Sequence, residues 1–482
     1  MSGGPRLAAA GAANLLGAAF GAAVGLGLGA LVGRTTGTEG AGVYYVAVAV
    51  FVVVSQLGEL GADTGLVRFV AAAGATGRVA TVPPLVRAAL RPVLIGGVAT
   101  TAAVALLVTL SPGRWLDLPD PLVVGGAALA VVGSMLAVLL AIPRGFHDPF
   151  GYPLLQNVAL PFTRLVAMLV VASLGAGAAT LLGAWMAAVL PVTIAAAWWA
   201  RRSLRQHVPA GPTESPDVRG FWRFSATRGV ASAVEITLEW ADVVLVGMLA
   251  SVEAAGIYAV VTRCARAGEM VQQAGRITLG PSLSASLARG ELSVASALYE
   301  RATAVMIWLA WPLYLLLGVF ADTVLRLFGD GFDDGTTALR ILLVAMAVST
   351  AAGAVQTVLL MGGRSRWQLG DKSGALALNV ALVLVLVPQM GIEGAAIAWA
   401  VTLVVDTAVA GYQVGWLMGV RPGLGRPVLA SAVSLGVVGG IAVLGRLVLG
   451  DSIAALLASG AVAAVAHLAV GKVLARRIGL RA

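Results

Sequence analysis

About twenty consecutive apolar residues suffice for one helix to cross the hydrocarbon core of a bilayer, and this chain repeats such runs from end to end. We count about fourteen of them, joined by short connections. A first set covers 7–31, 43–60, 85–110, 122–142, 154–174 and 178–199. A second covers 221–249, 254–279, 302–320, 339–360, 374–387 and 394–418, and 428–447 and 454–474 close the chain. No stretch between them is long enough to fold as a separate soluble domain. The reading is an all-α integral membrane protein. Composition agrees: 59% of residues are hydrophobic and 11% charged, against roughly 45–50% and 25% in soluble domains. Such a balance excludes a soluble enzyme and a disordered chain.

A net charge of +9 would suggest nucleic acid as a partner in a soluble protein. Here the basic residues gather in alternate short loops, as the positive-inside rule requires, and no nucleic-acid partner is expected. Loops after even-numbered spans hold Arg78, Arg144, Arg201, Arg202, Arg205, Arg219, Arg289, Arg364, Arg366, Arg421 and Arg426, and the tail adds Lys472, Arg476, Arg477 and Arg481. The opposite loops hold only Arg34, Arg114, Arg326 and Arg446, and collect Asp117, Asp120, Asp322, Asp330, Asp333 and Asp334. Both termini are therefore predicted to be cytoplasmic. The single cysteine, Cys264, excludes an intramolecular disulfide. His147, His207 and His467 have no metal-ligand spacing, and no cofactor is expected.

The chain also repeats itself. Glu39-Gly-Ala-Gly-Val-Tyr-Tyr-Val46 matches Glu253-Ala-Ala-Gly-Ile-Tyr-Ala-Val260 at an offset of 214 residues, and Gly177-Ala-Ala-Thr180 matches Gly394-Ala-Ala-Ile397 at 217. Span two thus corresponds to span eight and span six to span twelve. An offset of six spans preserves orientation, so the halves form a parallel repeat. The expected division is a six-helix lobe over 1–212, a second over 213–420, and two appended helices over 421–482.

Motifs for soluble chemistry fail on context. Gly25-Leu-Gly27-Leu-Gly29-Ala30 fits a dinucleotide fingerprint loosely but lies inside span one with no strand before it. Gly370-Asp-Lys372-Ser373 lacks the glycine pattern of a phosphate loop. More informative is the run Gly17, Gly21, Gly25, Gly29 and Gly33, whose i+4 spacing makes a smooth ridge for close helix packing or a bendable gating helix.

Charges inside the apolar runs carry the functional reading. Arg228, Glu235, Glu239 and Asp242 are spaced i+7, i+4 and i+3, so they share one face of span seven. Span eight offers Arg263, Arg266, Glu269, Gln273 and Arg276 close to one stripe. Measured from a turn near Ser251, Glu239 and Arg263 lie at equal depth, and Glu235 and Arg266 differ by roughly 1.5 Å. Unpaired charges in hydrocarbon are costly, so these faces must meet each other or a wet cavity. A structural ion-pair ladder and a polar cavity wall both satisfy that demand. Arg164 in span five and Asp406 in span twelve are also intramembrane; a buried arginine keeps its charge and needs an acid or an anionic ligand. Arg68, near the cytoplasmic end of span two, is placed either to line a cavity or to snorkel. Asn14, Gln156, Asn157, Gln356 and Asn379 add uncharged polar sites.

With Glu39-Gly-Ala-Gly-Val-Tyr44, Gly61-Ala-Asp63-Thr-Gly-Leu-Val-Arg68, Ala241-Asp242 through Gly247, Leu327-Phe-Gly329, Leu339-Arg340 and Leu378-Asn379 through Ala398 in this order, the chain resembles the Wzx-type polysaccharide flippases of the multidrug/oligosaccharidyl-lipid/polysaccharide exporter superfamily. The resemblance implies two six-helix lobes around a central cavity, often with two added C-terminal helices. It implies that the cargo is a lipid-linked oligosaccharide on a polyprenyl phosphate or pyrophosphate, flipped across the cell membrane by alternating access. On that reading Arg164, Arg228, Arg263, Arg266 and Arg68 are the substrate-binding candidates. Glu235, Glu239, Asp242 and Asp406 are the coupling or gating candidates, with protons or sodium as the ion. The rival is a cation-coupled drug or metabolite exporter of the same superfamily, with an apolar pocket and an unpaired acid. An enzyme is not expected: the longest cytoplasmic connection, 200–220, has no nucleophile–base or metal arrangement.

Overall fold

A computed structural model describes residues 4–111, 118–209 and 211–478. Arg114, Asp117 and Arg481 lie outside them, as do the side chains of Arg6, Asn14, Arg276 and Arg476. Among the described residues there is no strand. In lipid, a helix satisfies its own backbone hydrogen bonds, which an open strand edge does not. Ten segments of the described residues are long and apolar enough to cross a membrane. Two of them, Leu16–Ala75 and Arg366–Leu417, double back at Gly37 and Gly391, where φ is +70° and +59°. Counting those twice and adding the more charged 218–249 and 252–288 gives fourteen passes.

The chain divides into two compact units, Met1–Val244 and Leu245–Ala482. The first holds α1 (Gly4–Gly58), α2 (Ala62–Ala75), α3 (Val82–Leu110), α4 (Asp120–Gly145), α5 (Leu160–Ser173), α6 (Ala178–Ala187), α7 (Val189–His207) and most of α8 (Val218–Leu249). Its core joins Leu66, Val70, Leu85, Val93, Val138, Ile142 and Phe221, all at most 2% exposed. Small residues set the crossings. Ser55 donates to the Ala130 carbonyl at 2.8 Å, and Ser134 donates back to the Ser55 carbonyl at 2.6 Å. At the break between α1 and α2, Leu60 and Gly61 adopt positive φ. A Cβ on Gly61 would meet the Ser225 carbonyl of α8, and one on Gly229 would lie 2.9 Å from the Leu60 backbone.

The second unit holds α9 (Val252–Arg266), α10 (Glu269–Ala288), α11 (Leu292–Val319), α12 (Ala321–Arg326), α13 (Thr336–Ala351), α14 (Val355–Met361), α15 (Ser365–Tyr412), α16 (Gly425–Val433), α17 (Gly440–Leu449) and α18 (Ile453–Ile478). Span eight is not the single helix read from the sequence. It breaks at Ala267-Gly268 between α9 and α10, where the Tyr314 ring of α11 closes on Gly268 so tightly that a Cβ there would overlap it. Span ten likewise breaks at 352–354, with Gly353 at φ +74°. The last three helices pack on α11. His467 stacks on Trp308 with ring centroids 3.5 Å apart, and its Nε2 lies 3.0 Å from the Trp308 carbonyl oxygen.

The repeat read from the sequence has a counterpart in burial. Tyr44 and Tyr258, at matching positions of the two units, are 3% and 0% exposed.

Candidate functional site

In the first unit, α5 carries Arg164 over the indole of Trp185 on α6, with the guanidinium carbon 3.7 Å from the ring centroid. Trp185 in turn meets Phe51 and Tyr44 edge-on, at 5.4 and 6.4 Å. Aromatic faces are electron-rich, so a desolvated guanidinium gains about 2 kcal/mol there. That contact leaves its hydrogen-bonding demand unmet: Nε is occluded without a partner, and no ion pair of Arg164 is found among the described residues. The arrangement is a stacked, permanently charged donor with an edge still to be satisfied, which suits a phosphate or carboxylate.

Also in this unit, Arg228 lies 3.4 Å from Glu235. That partner lies two turns away on its own helix. Glu239 is exposed on the same unit, whereas Asp242 is buried and accepts from the Val243 amide at 2.8 Å. Arg68 is exposed and stands 4.3 Å over the Phe224 ring. A further acid, unmarked in the sequence reading, is Glu59. It is 6% exposed at the break after α1 and accepts from Gln56 at 3.0 Å. Between helices of the same unit, Ala47, Phe51, Leu107, Leu122, Gly126 and Met186 line part of an apolar cavity of about 210 Å³.

In the second unit Arg263 donates to the Ala259 carbonyl at 3.1 Å. Arg266, one residue before the break in span eight, stands 5.8 Å over Trp399 and 3.9 Å from Glu269. Asp406 is 7% exposed and forms an ion pair of 2.7 Å with Lys372. The fold at Gly391 makes this possible by turning the two halves of α15 against each other. Gln356 donates to Asp406 at 3.3 Å, and Gln413 donates to the neighbouring Asp371 at 2.8 Å. Lys372 is one of two lysines among 32 basic residues. That rarity was the available signal, but its partner lies 34 residues away and only the hairpin brings them together.

Along α12 and at the end of α17, a second ion-pair group forms. Arg446 lies 2.7 Å from Asp322 and 3.6 Å from Asp451, while Arg326 and Thr323 both donate to Asp451. The Asp451 carboxyl is held down to about 2, first by its hydrogen bond with Asp322, then by Thr323 and the two guanidinium groups. This group ties the C-terminal helices to the end of α11.

Residues 150–334 match the family described as polysaccharide biosynthesis protein. Among curated proteins no sequence match is found. Among solved structures, the lipid II flippase MurJ in an inward closed conformation matches with a TM-score of 0.73 at 11% identity, over 97% of this chain and 99% of that one. An inward-facing multidrug resistance MATE family transporter of the MOP superfamily matches with a TM-score of 0.69 at 15% identity, over 82% and 94%. A MOP superfamily transporter from Pyrococcus furiosus, described as having a binding pocket of reverse polarity, matches at 0.58 and 18%, over 85% and 95%. The fold is that of these transporters. The family match over 150–334 agrees with the polysaccharide-flippase resemblance read from the sequence, and the shared fold with a multi-pass membrane protein.

Proposed function

We propose that this chain is a flippase that moves a lipid-linked oligosaccharide from the cytoplasmic to the outer leaflet of the cell membrane by alternating access, with both termini cytoplasmic. The observation that carries the reading is Arg164: a guanidinium inside the first unit, stacked on Trp185, with no acid paired to it among the described residues. The phosphate or pyrophosphate of a polyprenyl carrier supplies the missing anion. Arg228 and Arg68 of the first unit and Arg263 and Arg266 of the second are the further substrate-binding candidates. Glu235, Glu239 and Asp242 balance these cations when cargo is absent, and Asp406 belongs to the coupling of transport to protons or sodium. The lobes in this scheme are 1–212 and 213–420, with 421–482 appended. The work is transport rather than catalysis.

A drug or metabolite exporter is the second reading, favoured by the apolar cavity of about 210 Å³ in the first unit. Purified protein in sealed vesicles separates the two. The flippase reading expects protein-dependent appearance of a polyprenyl-pyrophosphate-linked glycan in the opposite leaflet and no uptake of a lipophilic cationic dye. Dye movement driven by an ion gradient, with no glycan movement, would establish the exporter instead.

A further inference from the structure

The side chains around Lys372 do not balance. Asp371 and Asp406 contribute two negative charges and Lys372 one positive, and Asp371 lies within Coulombic reach of both others. Gln356 and Gln413 reach in from α14 and from the π-helical segment Gln413–Leu417 that continues α15, each spending an amide N–H on a carboxylate. Four oxygens are then left occluded with no donor: Asp406 Oδ1, Asp371 Oδ2, Gln356 Oε1 and Gln413 Oε1. Asp406 itself is 7% exposed, so solvent is not there to answer it. Acceptors that outnumber donors in a buried place cost free energy, and a net charge there costs more.

The other elements packed on α15 do not repair the deficit. The α14 helix and the π-helical segment after α15 bring amides and no charge at this point. The charged residue of α13, Arg340, donates to the Gly318 carbonyl. The α9 helix brings Glu253, Arg263 and Arg266, and the last stands over Trp399, seven residues or about 10 Å of helix from Asp406. Arg364, at the start of α15, lies over Trp367, and Arg366 is exposed.

We propose that Asp371 and Asp406, with Lys372 between them, form a binding site for one proton in the second unit. A proton on either carboxyl brings the group to neutrality and converts an acceptor into an O–H donor for one of the stranded oxygens. Lys372 already fills the place where a metal cation would neutralise Asp406, which favours the proton over sodium. Asp371 lies six residues into α15, about 9 Å of helix from its start, so exchange with the cytoplasmic side is short. As the site that couples ion movement to cargo, the group rests on the transporter reading; its binding of a proton does not.

Infrared titration of the purified full-length protein, without cargo, tests the proposal through the carbonyl stretch of a protonated carboxyl. The expected result is one such band that titrates with pH and is lost in both Asp371→Asn and Asp406→Asn. Lys372→Met should leave two acids without their cation and tighten proton binding about tenfold or more. A folded-protein check by hydrogen exchange accompanies each variant, and the wild-type response to sodium needs no variant at all. Discharge of the band by sodium at constant pH would overturn the proposal in favour of a metal-cation site. Absence of the band, or its indifference to both aspartate substitutions, would overturn it in favour of ordered water alone. A protein that titrates as expected yet moves no glycan would keep the site and lose the flippase reading.

Discussion

Under the proposed function, Arg164 is the side chain that ties packing to cargo. Lysine at this position would keep the charge but lose the planar stack on Trp185 and the paired donors that grip a phosphate. We expect Arg164→Lys to lower glycan translocation roughly tenfold, and Arg164→Gln to lower it further, with inserted protein little changed. The measurement is leaflet appearance of the glycan per inserted protein; unchanged rates in both variants would make the contact a structural stack. Asp451 gives a pH signature of the opposite kind. Its carboxyl sits near 2 in the folded protein, below the ordinary aspartate value of about 3.9. The stabilisation it supplies is therefore complete above about pH 4 and is lost as pH falls toward 2. Being partly exposed, the group should contribute about 1–2 kcal/mol, less at high salt. Hydrogen exchange over 446–456 should rise on acidification in the natural protein, and Asp451→Asn should show that rise already at neutral pH. Arg164 and Asp406 were legible in the sequence because a charge inside an apolar run announces itself. Lys372 was read only as part of a rejected phosphate loop, and Glu59 was not marked, since both acquire meaning from a chain reversal or break that hydropathy does not encode.

Among the elements, the glycine ridge of α1 proves to be two surfaces. A Cβ on Gly17 or Gly21 would lie 3.1 or 3.2 Å from Asn157 in the π-helical segment Pro153–Ala159 that leads into α5, whereas one on Gly25 meets nothing within 4 Å. The sequence treated all five glycines alike because their spacing is uniform; what differs is the neighbour. Gly21→Leu should therefore cost about 1–3 kcal/mol through overpacking, and Gly25→Leu should leave stability unchanged. Thermal unfolding in detergent reads the difference, and equal losses in the two variants would contradict it. The break in span eight has the same origin. The run 254–279 is apolar enough to read as one helix, and only the approach of Tyr314 to Gly268 shows why it divides. That division places Arg266 at a helix end, where its contact with Trp399 becomes possible. Helix number and order were thus readable from hydropathy, while the bends that position the charged groups depend on packing between distant residues.

At the scale of the whole molecule, the two units and the positive-inside pattern carry separate expectations. A reporter fused after Arg202 should be cytoplasmic and one near Asp333 external, and agreement between the two would contradict the proposed topology. The shared fold does not choose between the proposed lipid-linked cargo and its rival, so the chemistry of the cargo decides. The central claim is that an anionic lipid-linked glycan is moved and that its phosphate is what Arg164 answers. It is tested most directly by presenting reconstituted vesicles with two lipids that share glycan and polyprenyl chain, one joined through pyrophosphate and one through a neutral linkage. The account expects the pyrophosphate lipid to cross and the neutral one to lag about tenfold or more, with Arg164→Gln abolishing the preference. Equal crossing of the two lipids, or a preference that survives the substitution, would contradict it.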